Sequence, residues 1–466
     1  MAENKELPVS IDSIPHEILY QIISLIPLKE ATRTIILSSS WKHLWTPIQV
    51  SLNIDLDKVT TQEYGQHMTQ IISSFLNTYK TSYQILDLSF IHPKTVRNQE
   101  TRFFKAIKGV NEELHICFNG ERETPKLFGL TIEMPLCEND HFHSLKTLHL
   151  RSIISMAGSF LPELFAGCRN LEALTLEKCG GLQDIDVKSH EFLRKFVVLD
   201  CENMACVTIS LAPNLESFCY RGTLVKIVLK EVPILCDVTL DINGTSAFTN
   251  YNEFDSEDLV PLLASLKDVE VLTLSGWLLE WLCTRGVIFD NLDFKFNKLK
   301  ELSWIDCCMT SDSLVCFLSI TPSLENLFIK ICANEGTKAC PQFHQSLPQV
   351  WTREAATKSK DWQLKHLKVV KFLRFKIEEE NQTFISLMDA LLRKAIAIKK
   401  MSVTEPENKL SWCVAKVPRS HLKKMAQAST TTCHPSKSSL LLSSIDNDYC
   451  FRLTPIDENR KLSRLL

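Results

Sequence analysis

From Leu145 onward the chain repeats an apolar pattern, L-x-x-L-x-L. It reads LKTLHL at 145, LEALTL at 171, LRKFVV at 193, LESFCY at 215 and LCDVTL at 235, starts that step by 26, 22, 22 and 20 residues. Steps of roughly 20 to 29 residues with this spacing mark leucine-rich repeats, in which a short strand cannot bury its inner face alone and needs a neighbour on each side. Further copies are VEVLTL at 269, LKELSW at 299, LENLFI at 324 and LKHLKV, starting at 364 or 367, with longer gaps that require inserted loops. Weaker strands, YQILDL at 83 and LFGLTI at 127, start the array early. The pattern predicts an α/β fold with a leucine-rich-repeat solenoid, a curved parallel sheet, over residues 83–360.

Strand alternation sends the first, fourth and sixth residues of each copy inward and leaves the fifth and seventh on the concave face. The fifth column holds His149, Thr175, Val197, Cys219, Thr239, Thr273, Ser303 and Phe328; the seventh holds Arg151, Glu177, Leu199, Arg221, Asp241, Ser275, Ile305 and Lys330. Of these, His149, Arg151, Glu177, Leu199, Arg221, Asp241, Ile305, Phe328 and Lys330 are the candidate substrate contacts. Both charge signs mixed with apolar residues suit a protein surface, whereas a phosphate backbone would want uniformly basic columns. Loops on the convex side are the alternative site. Eight residues after each first leucine, Cys179, Cys201, Cys307 and Cys332, with Asn243 after Leu235, occupy the Asn/Cys position of the repeat, a structural place where a small side chain turns inward.

The N-terminal pattern is helical. In SIDSIPHEILYQIISLIPLKEATRTIILSSSWKHLWTP, residues 10–47, Ser13 can cap a helix that Pro15 opens, and Ile14, Ile18, Leu19, Ile22, Leu25 and Ile26 share one face before Pro27 ends it. A second helix carries Ala31, Ile35, Ile36 and Leu37, and Ser38 to Ser40 precede a third piece with Trp41, Leu44 and Trp45. A unit this short does not bury enough surface to fold alone. Periodicity leaves two readings open, docking onto a partner groove or capping the next domain. Residues 51–82 have a helical period and are expected as a helical linker. Between Ala333 and Trp362 a polar, proline-bearing stretch reads as an inserted loop. Residues 361–404 predict a strand, an acidic turn at Glu378 to Glu380, an amphipathic helix with Phe384, Leu387, Leu391 and Ile396, and a last strand, and 405–466 a loosely ordered tail.

Composition narrows the classes. The 466 residues are 45% hydrophobic and 23% charged with net charge -3, an ordinary balance that exerts no global field on nucleic acid or membrane. The first ten residues lack the apolar core of a signal peptide, and no apolar run reaches membrane-spanning length, so no membrane association is expected. Seventeen cysteines without an export signal predict reduced thiols. No C-x-x-C pair, phosphate loop, G-x-S-x-G elbow or dinucleotide fingerprint occurs, and His141-x-His143 lacks a third ligand, so neither metal, cofactor nor catalysis is expected.

At residues 10–47 the chain resembles an F-box. That pattern runs Leu-Pro, Asp-Glu, Ile-Leu, a second Pro, then Thr-Ser-x-Leu-Ser and Trp-x-x-Leu-Trp. Ile14-Pro15, Glu17-Ile18-Leu19, Pro27, Glu30-Ala31, Arg33-Thr34, Leu37-Ser38 and Trp41, Leu44, Trp45 stand in those places. Val9-Ser10, His16 and Ser39-Ser40 replace charged positions of the pattern and keep its apolar face. The resemblance implies an F-box over 9–50 that binds a Skp-type adaptor through Ile14, Pro15, Ile18, Leu19, Ile22, Leu25, Pro27, Leu37, Trp41, Leu44 and Trp45, and through it cullin and RING subunits. SLAPNLESFCYRG, 210–222, and the segment 361–404 resemble plant F-box proteins with leucine-rich repeats, the latter their closing FBD segment. The family implies a non-catalytic substrate-recognition subunit of a ubiquitin ligase, cytoplasmic or nuclear, whose repeats hold a protein substrate. A small-molecule co-receptor and a ligase-independent scaffold are the alternatives.

Overall fold

The computed structural model describes residues 14–15, 18–19, 50–55, 83–91, 110–119, 145–153, 156, 158–242, 256–284, 287–306, 311–331, 362–375, 381–405, 411–418, 440–443 and 449–455. The chain forms two compact units, Met1–Leu215 with Lys230–Pro233, and Glu216–Leu229 with Ile234–Leu466.

The first unit contains β1 (Val50–Asp55), β2 (Tyr83–Ile91), β3 (Val110–Asn119), β4 (Thr147–Arg151), α1 (Phe160–Gly167), β5 (Ala173–Glu177), β6 (Asp184–Lys188), β7 (Lys195–Leu199) and β8 (Cys206–Ser210). Its sheet is parallel in the order β1, β2, β3, β4, β5, β7, while β6 and β8 pair in a second sheet behind it. The second unit contains β9 (Ser217–Gly222), β10 (Lys226–Lys230), β11 (Asp237–Ile242), α2 (Ser256–Ser265), β12 (Val271–Ser275), α3 (Gly276–Thr284), β13 (Glu301–Asp306), α4 (Ser311–Leu318), β14 (Asn326–Ile331), β15 (Val369–Leu373), α5 (Asn381–Lys394) and β16 (Lys400–Thr404). Here β9, β11, β12, β13, β14, β15 and β16 run parallel.

Register follows the repeat. Third positions face third positions throughout: Glu113, Thr147, Ala173 and Lys195 in one unit, Asp237, Val271, Glu301, Asn326, Val369 and Lys400 in the other. The pairing of Asn326 with Val369 fixes the ambiguous repeat start at 367. Because side chains alternate along a strand, the fourth and sixth positions fill the core, as in Leu148, Leu150, Leu174 and Leu176, all at most 2% exposed.

Hydrogen bonds pin both ends of each strand. The carbonyl at position two accepts two N–H groups from the next repeat: Lys146 from Glu172 and Ala173 at 2.7 and 2.8 Å, Lys300 from Glu325 and Asn326, both at 2.9 Å. At the far end of the repeats starting at 145, 171, 193 and 367 the residue after position seven is left-handed, with φ of 58° at Ser152, 52° at Lys178, 51° at Asp200 and 59° at Arg374. None is glycine, so each turn costs roughly 1–2 kcal/mol. It is offset where the left-handed N–H is used: Ser152 donates to the Glu177 carbonyl at 2.8 Å and Lys178 to the Leu199 carbonyl at 2.7 Å.

Repeat length decides what closes the back. A five-residue strand covers about 16 Å at about 3.3 Å per residue, while a helix rising about 1.5 Å per residue needs roughly ten residues for that return. The steps of 22, 22 and 20 residues hold the strands β6, β8 and β10, and the steps of 26, 34, 30 and 25 from 145, 235, 269 and 299 include α1, α2, α3 and α4.

Three expectations change. Residues 51–82 were expected to be helical, but Val50–Asp55 is a strand pairing Leu52 with Leu88, because VSLNID alternates apolar and polar residues with period two; residues 56–82 lie outside the described set. The segment 405–466 was expected to be loosely ordered, yet it contributes β17 (Ser411–Pro418), β18 (Leu440–Ser443) and β19 (Tyr449–Pro455), which extend β16 antiparallel in the order β17, β19, β18. Trp412 and Val414 are buried between exposed Cys413 and Ala415, and the Trp412 indole donates to Glu405 at 3.0 Å, so the alternation is again that of a half-buried strand. Ile396, expected on the face of α5, lies past its end and is 70% exposed. The LFGLTI copy at 127 and most of the insert 333–362 lie outside the described residues.

Leu176→Ala is expected to cost about 2–5 kcal/mol in denaturant unfolding, whereas Thr175→Ala, one residue away on the other face, should stay within roughly 0.5 kcal/mol. Equal losses would contradict the inward and outward assignment.

Candidate interaction face

The third, fifth and seventh positions make the outward face of each sheet, and their side chains are mostly half-buried. In the first unit this face brings four predicted residues together. Arg151 Nε lies 3.4 Å from Glu177 Oε1, His149 Nε2 lies 3.7 Å from Glu177 Oε2, and His149 meets His115 edge to face at 5.6 Å between ring centroids. Leu199 follows Glu177 in the seventh column, and Val197 in the fifth is 7% exposed, so it adds to the core more than to the surface. Burial lowers the His149 pKa first, His115 and Arg151 lower it further, and Glu177 opposes them.

In the second unit Arg221 and Asp241 are direct register neighbours, as are Ile305 and Lys330. Phe328 carries Lys371 of the next strand over its ring, with Nζ 5.1 Å from the centroid. The opposite charges of the seventh column thus sit beside each other, Arg151 with Glu177 and Arg221 with Asp241, as cross-strand pairs. The outer edge repeats this at position two, where Lys146 meets Glu112 at 3.3 Å, Lys300 meets Glu270 at 2.8 Å and Lys368 meets Glu325 at 2.7 Å.

The thiols at the Asn/Cys position are structural in geometry. Cys179 Sγ donates toward the Leu150 and Glu177 carbonyls, both at 3.4 Å, and Cys201 Sγ toward Leu176 and Leu199 at 3.6 and 3.7 Å. The neighbouring Cys201 and burial push the Cys179 thiol up, and burial pushes Cys168 up to about 12. Cys307, Cys332 and Asn243 lie outside the described residues. Among the described residues no group of His, Cys, Asp or Glu could hold a metal ion, and no helix is long and apolar enough to cross a membrane.

Of the predicted adaptor contacts, four are described. The Ile18 and Leu19 N–H groups donate to the Pro15 carbonyl at 3.1 and 3.2 Å, a first helical turn, with Leu19 2% and Ile18 45% exposed. Ile14 is half-buried and Pro15 exposed. Ile22, Leu25, Pro27, Leu37, Trp41, Leu44 and Trp45 lie outside the described residues.

Sequence reasoning missed face residues in two repeats. NEELHIC at 111 opens with Asn in place of Leu, which hid His115, and IKKMSVT at 398 hid Lys400. Each keeps apolar fourth and sixth positions, Leu114 with Ile116 and Met401 with Val403, and that pair was the available signal.

Stacked parallel strands of this register define a leucine-rich-repeat protein. The chain belongs to the family described as At1g61320/AtMIF1, LRR domain, which matches residues 129–443. It is 26% identical over 334 residues to F-box/LRR-repeat protein At5g02910 of Arabidopsis thaliana, covering 68% of this chain and 71% of the relative. Putative F-box/LRR-repeat protein At5g02930, from the same organism, is 22% identical over 472 residues and 95% of both chains. F-box/LRR-repeat protein At4g14096, also from Arabidopsis thaliana, is 24% identical over 452 residues, 88% of this chain and 93% of the relative. The resemblance to plant F-box/LRR proteins read from the sequence is thereby borne out.

Two measurements follow. In native alkylation, exposed Cys236 and Cys413 should label well before buried Cys168, Cys179 and Cys201, read by mass spectrometry; early labelling of Cys179 would overturn its inward placement. His149 and buried His190, whose Nε2 sits 3.2 Å from the Cys168 carbonyl, both have pKa values lowered from 6.5, chiefly by burial. Below about pH 6.5 the unfolded chain takes up protons that the folded chain does not, so stability falls as pH drops through that range. The denaturation midpoint should decline from pH 7 to pH 5.5, and the decline should shrink in the His149→Gln, His190→Gln variant; an unchanged slope refutes the linkage.

Proposed function

We propose that this chain is the substrate-recognition subunit of a Skp-Cullin-F-box ubiquitin ligase. Its F-box docks on a Skp-type adaptor, and its outward sheet face holds a protein substrate. The chain contributes binding and orientation; cullin and RING subunits carry the catalysis. The single observation behind this reading is the combination of two parts in one chain, similar to proteins named as F-box/LRR-repeat proteins: the F-box-like apolar pattern of residues 10–47, and a repeat stack whose outward positions are mostly half-exposed and chemically varied. The segment 361–404, in which β15, α5 and β16 follow one another, acts as the FBD-like terminal segment of this arrangement, and β17 to β19 continue beyond it. The free thiols of Cys168, Cys179 and Cys201 suit a cytoplasmic or nuclear place of action.

Trp41→Ala, Leu44→Ala and the Ile14→Ala, Pro15→Ala pair should each lose adaptor binding, since truncating a buried aromatic or aliphatic anchor typically costs about 2 kcal/mol or more, roughly thirtyfold in affinity. Pull-down of the full chain with a purified Skp-type adaptor reads the loss, and an unchanged circular dichroism spectrum shows that the repeats remain folded. Unchanged binding would place these side chains against the chain's own repeats and remove the ligase reading.

A further inference from the structure

On the outward face of the second unit three cations cluster without a cross-strand counter-charge. Lys330 is the seventh residue of its repeat in β14, Lys371 the fifth in β15 and Lys400 the third in β16. The register neighbours of Lys330 are Ile305 and Leu373, and those of Lys371 are Phe328 and Ser402, while Lys400 has Val369 beside it. None of these is acidic. Among the described residues, Lys330 and Lys400 make no ion pair, and Lys371 makes only its contact with the Phe328 ring. Of the acidic side chains on this face, Glu301 stands in β13, three strands from Lys400 in the same row, and Asp237 and Asp241 lie further off in β11. Other outward charges are answered by charge, as Arg151 is by Glu177, while Lys195 and Glu301 stand singly among uncharged register neighbours and form no such cluster.

The three lysines form a diagonal. Each step moves one strand across and two residues back, so with strands about 4.8 Å apart and residues rising about 3.3 Å, successive Cα atoms are spaced about 8 Å. An extended peptide carries alternate side chains about 6.6 Å apart, close enough for flexible lysine stems to meet carboxylates at every second position. Ile305, Phe328 and Leu373 flank the diagonal and offer apolar contact between the charges.

We propose that this diagonal is the recognition element for an acidic, extended segment of a partner protein, with Asp or Glu at alternate positions and apolar residues between them. The proposal rests on the reading that the outward face holds a protein substrate, and it names that substrate's chemistry. A nucleic acid fits less well, since three lysines among apolar neighbours and Glu301 do not make the uniformly basic track that a phosphate backbone requires.

The test uses the full chain bound to its Skp-type adaptor and a fluorescein-labelled heptapeptide with Asp at alternate positions and Val or Leu between, read by anisotropy. Binding should weaken as salt rises, and Lys330→Gln, Lys371→Gln and Lys400→Gln should each weaken it roughly 3- to 5-fold, the size expected of half-exposed charge pairs. The triple variant should lose most of the affinity, while a Lys-substituted peptide should fail against the wild-type chain. The proposal is overturned if the triple variant binds the acidic peptide as well as wild type does, or if a short DNA duplex binds through these lysines and the peptide does not. It is also overturned if the peptide binds only after Glu378, Glu379 and Glu380 are changed to Gln, because the occupant would then be this chain's own acidic turn. Adaptor pull-down of the triple variant separates the two readings: retained adaptor with lost peptide supports the diagonal, and loss of adaptor in Trp41→Ala alone concerns the ligase assignment.

Discussion

Every repeat hangs on one backbone oxygen. The carbonyl at position two takes N–H groups from positions two and three of the following repeat, for example Glu270 from Lys300 at 2.9 Å and from Glu301 at 3.1 Å. A strand that slipped by one residue would turn its leucines outward, since side chains alternate with period two. The doubly used carbonyl at one end, joined at Ser152, Lys178, Asp200 and Arg374 by a left-handed residue at the other, leaves no room for that slip. The buried fourth and sixth positions and the available third, fifth and seventh positions are both consequences of this clamp.

The clamp also explains why mixed charge on the outward face is a poor guide to a partner. Holding like positions in adjacent strands side by side places Arg151 against Glu177 and Arg221 against Asp241, so much of the column's charge finds an opposite within the fold. Such pairs are screened and add little to stability, but they lower the field a partner would feel. A ligand is drawn by what the register leaves unmatched, which in the second unit includes the cluster of Lys330, Lys371 and Lys400 beside Phe328 and Leu373.

The parts of this architecture legible in the sequence were those that depend on apolar spacing. Leucines at 145, 171, 193, 215, 235, 299 and 324 and Val269 set both register and faces, and the inward thiols of Cys179 and Cys201 followed from their offset. The strand opening with Asn111 was hidden, and the expected last strand, opening with Ile398, was not recognised as a repeat, because the first position tolerates other residues once the fourth and sixth are filled. The back strands β6, β8 and β10 were hidden for a different reason: DIDVK, CVTIS and KIVLK are too short to separate from loops by pattern, and only the distance a chain must return within 20 to 22 residues makes a strand necessary there. The tail strands were masked by the Ser/Thr-rich composition around them. At the candidate site, positions could be named but pairing could not, because which charges neutralise each other depends on neighbours across the sheet.

The step between the repeats at 324 and 367 carries this argument furthest. It is 43 residues long, the difference between the two starts and about twice the shortest repeats, yet β14 and β15 pair in the same register as every other couple. The Glu325 carbonyl still accepts from Lys368 at 2.8 Å and Val369 at 3.1 Å. Doubling the length of a flexible connection costs only about 0.6 kcal/mol in closure entropy, far less than one buried leucine contributes. The stack is therefore indifferent to what leaves it between two strands, provided the next repeat returns to the same carbonyl. That indifference separates two kinds of position in the chain. Inward residues and the clamp are held by every neighbour, while the outward face and the insert between the starts at 324 and 367 are free to take the side chains a partner requires.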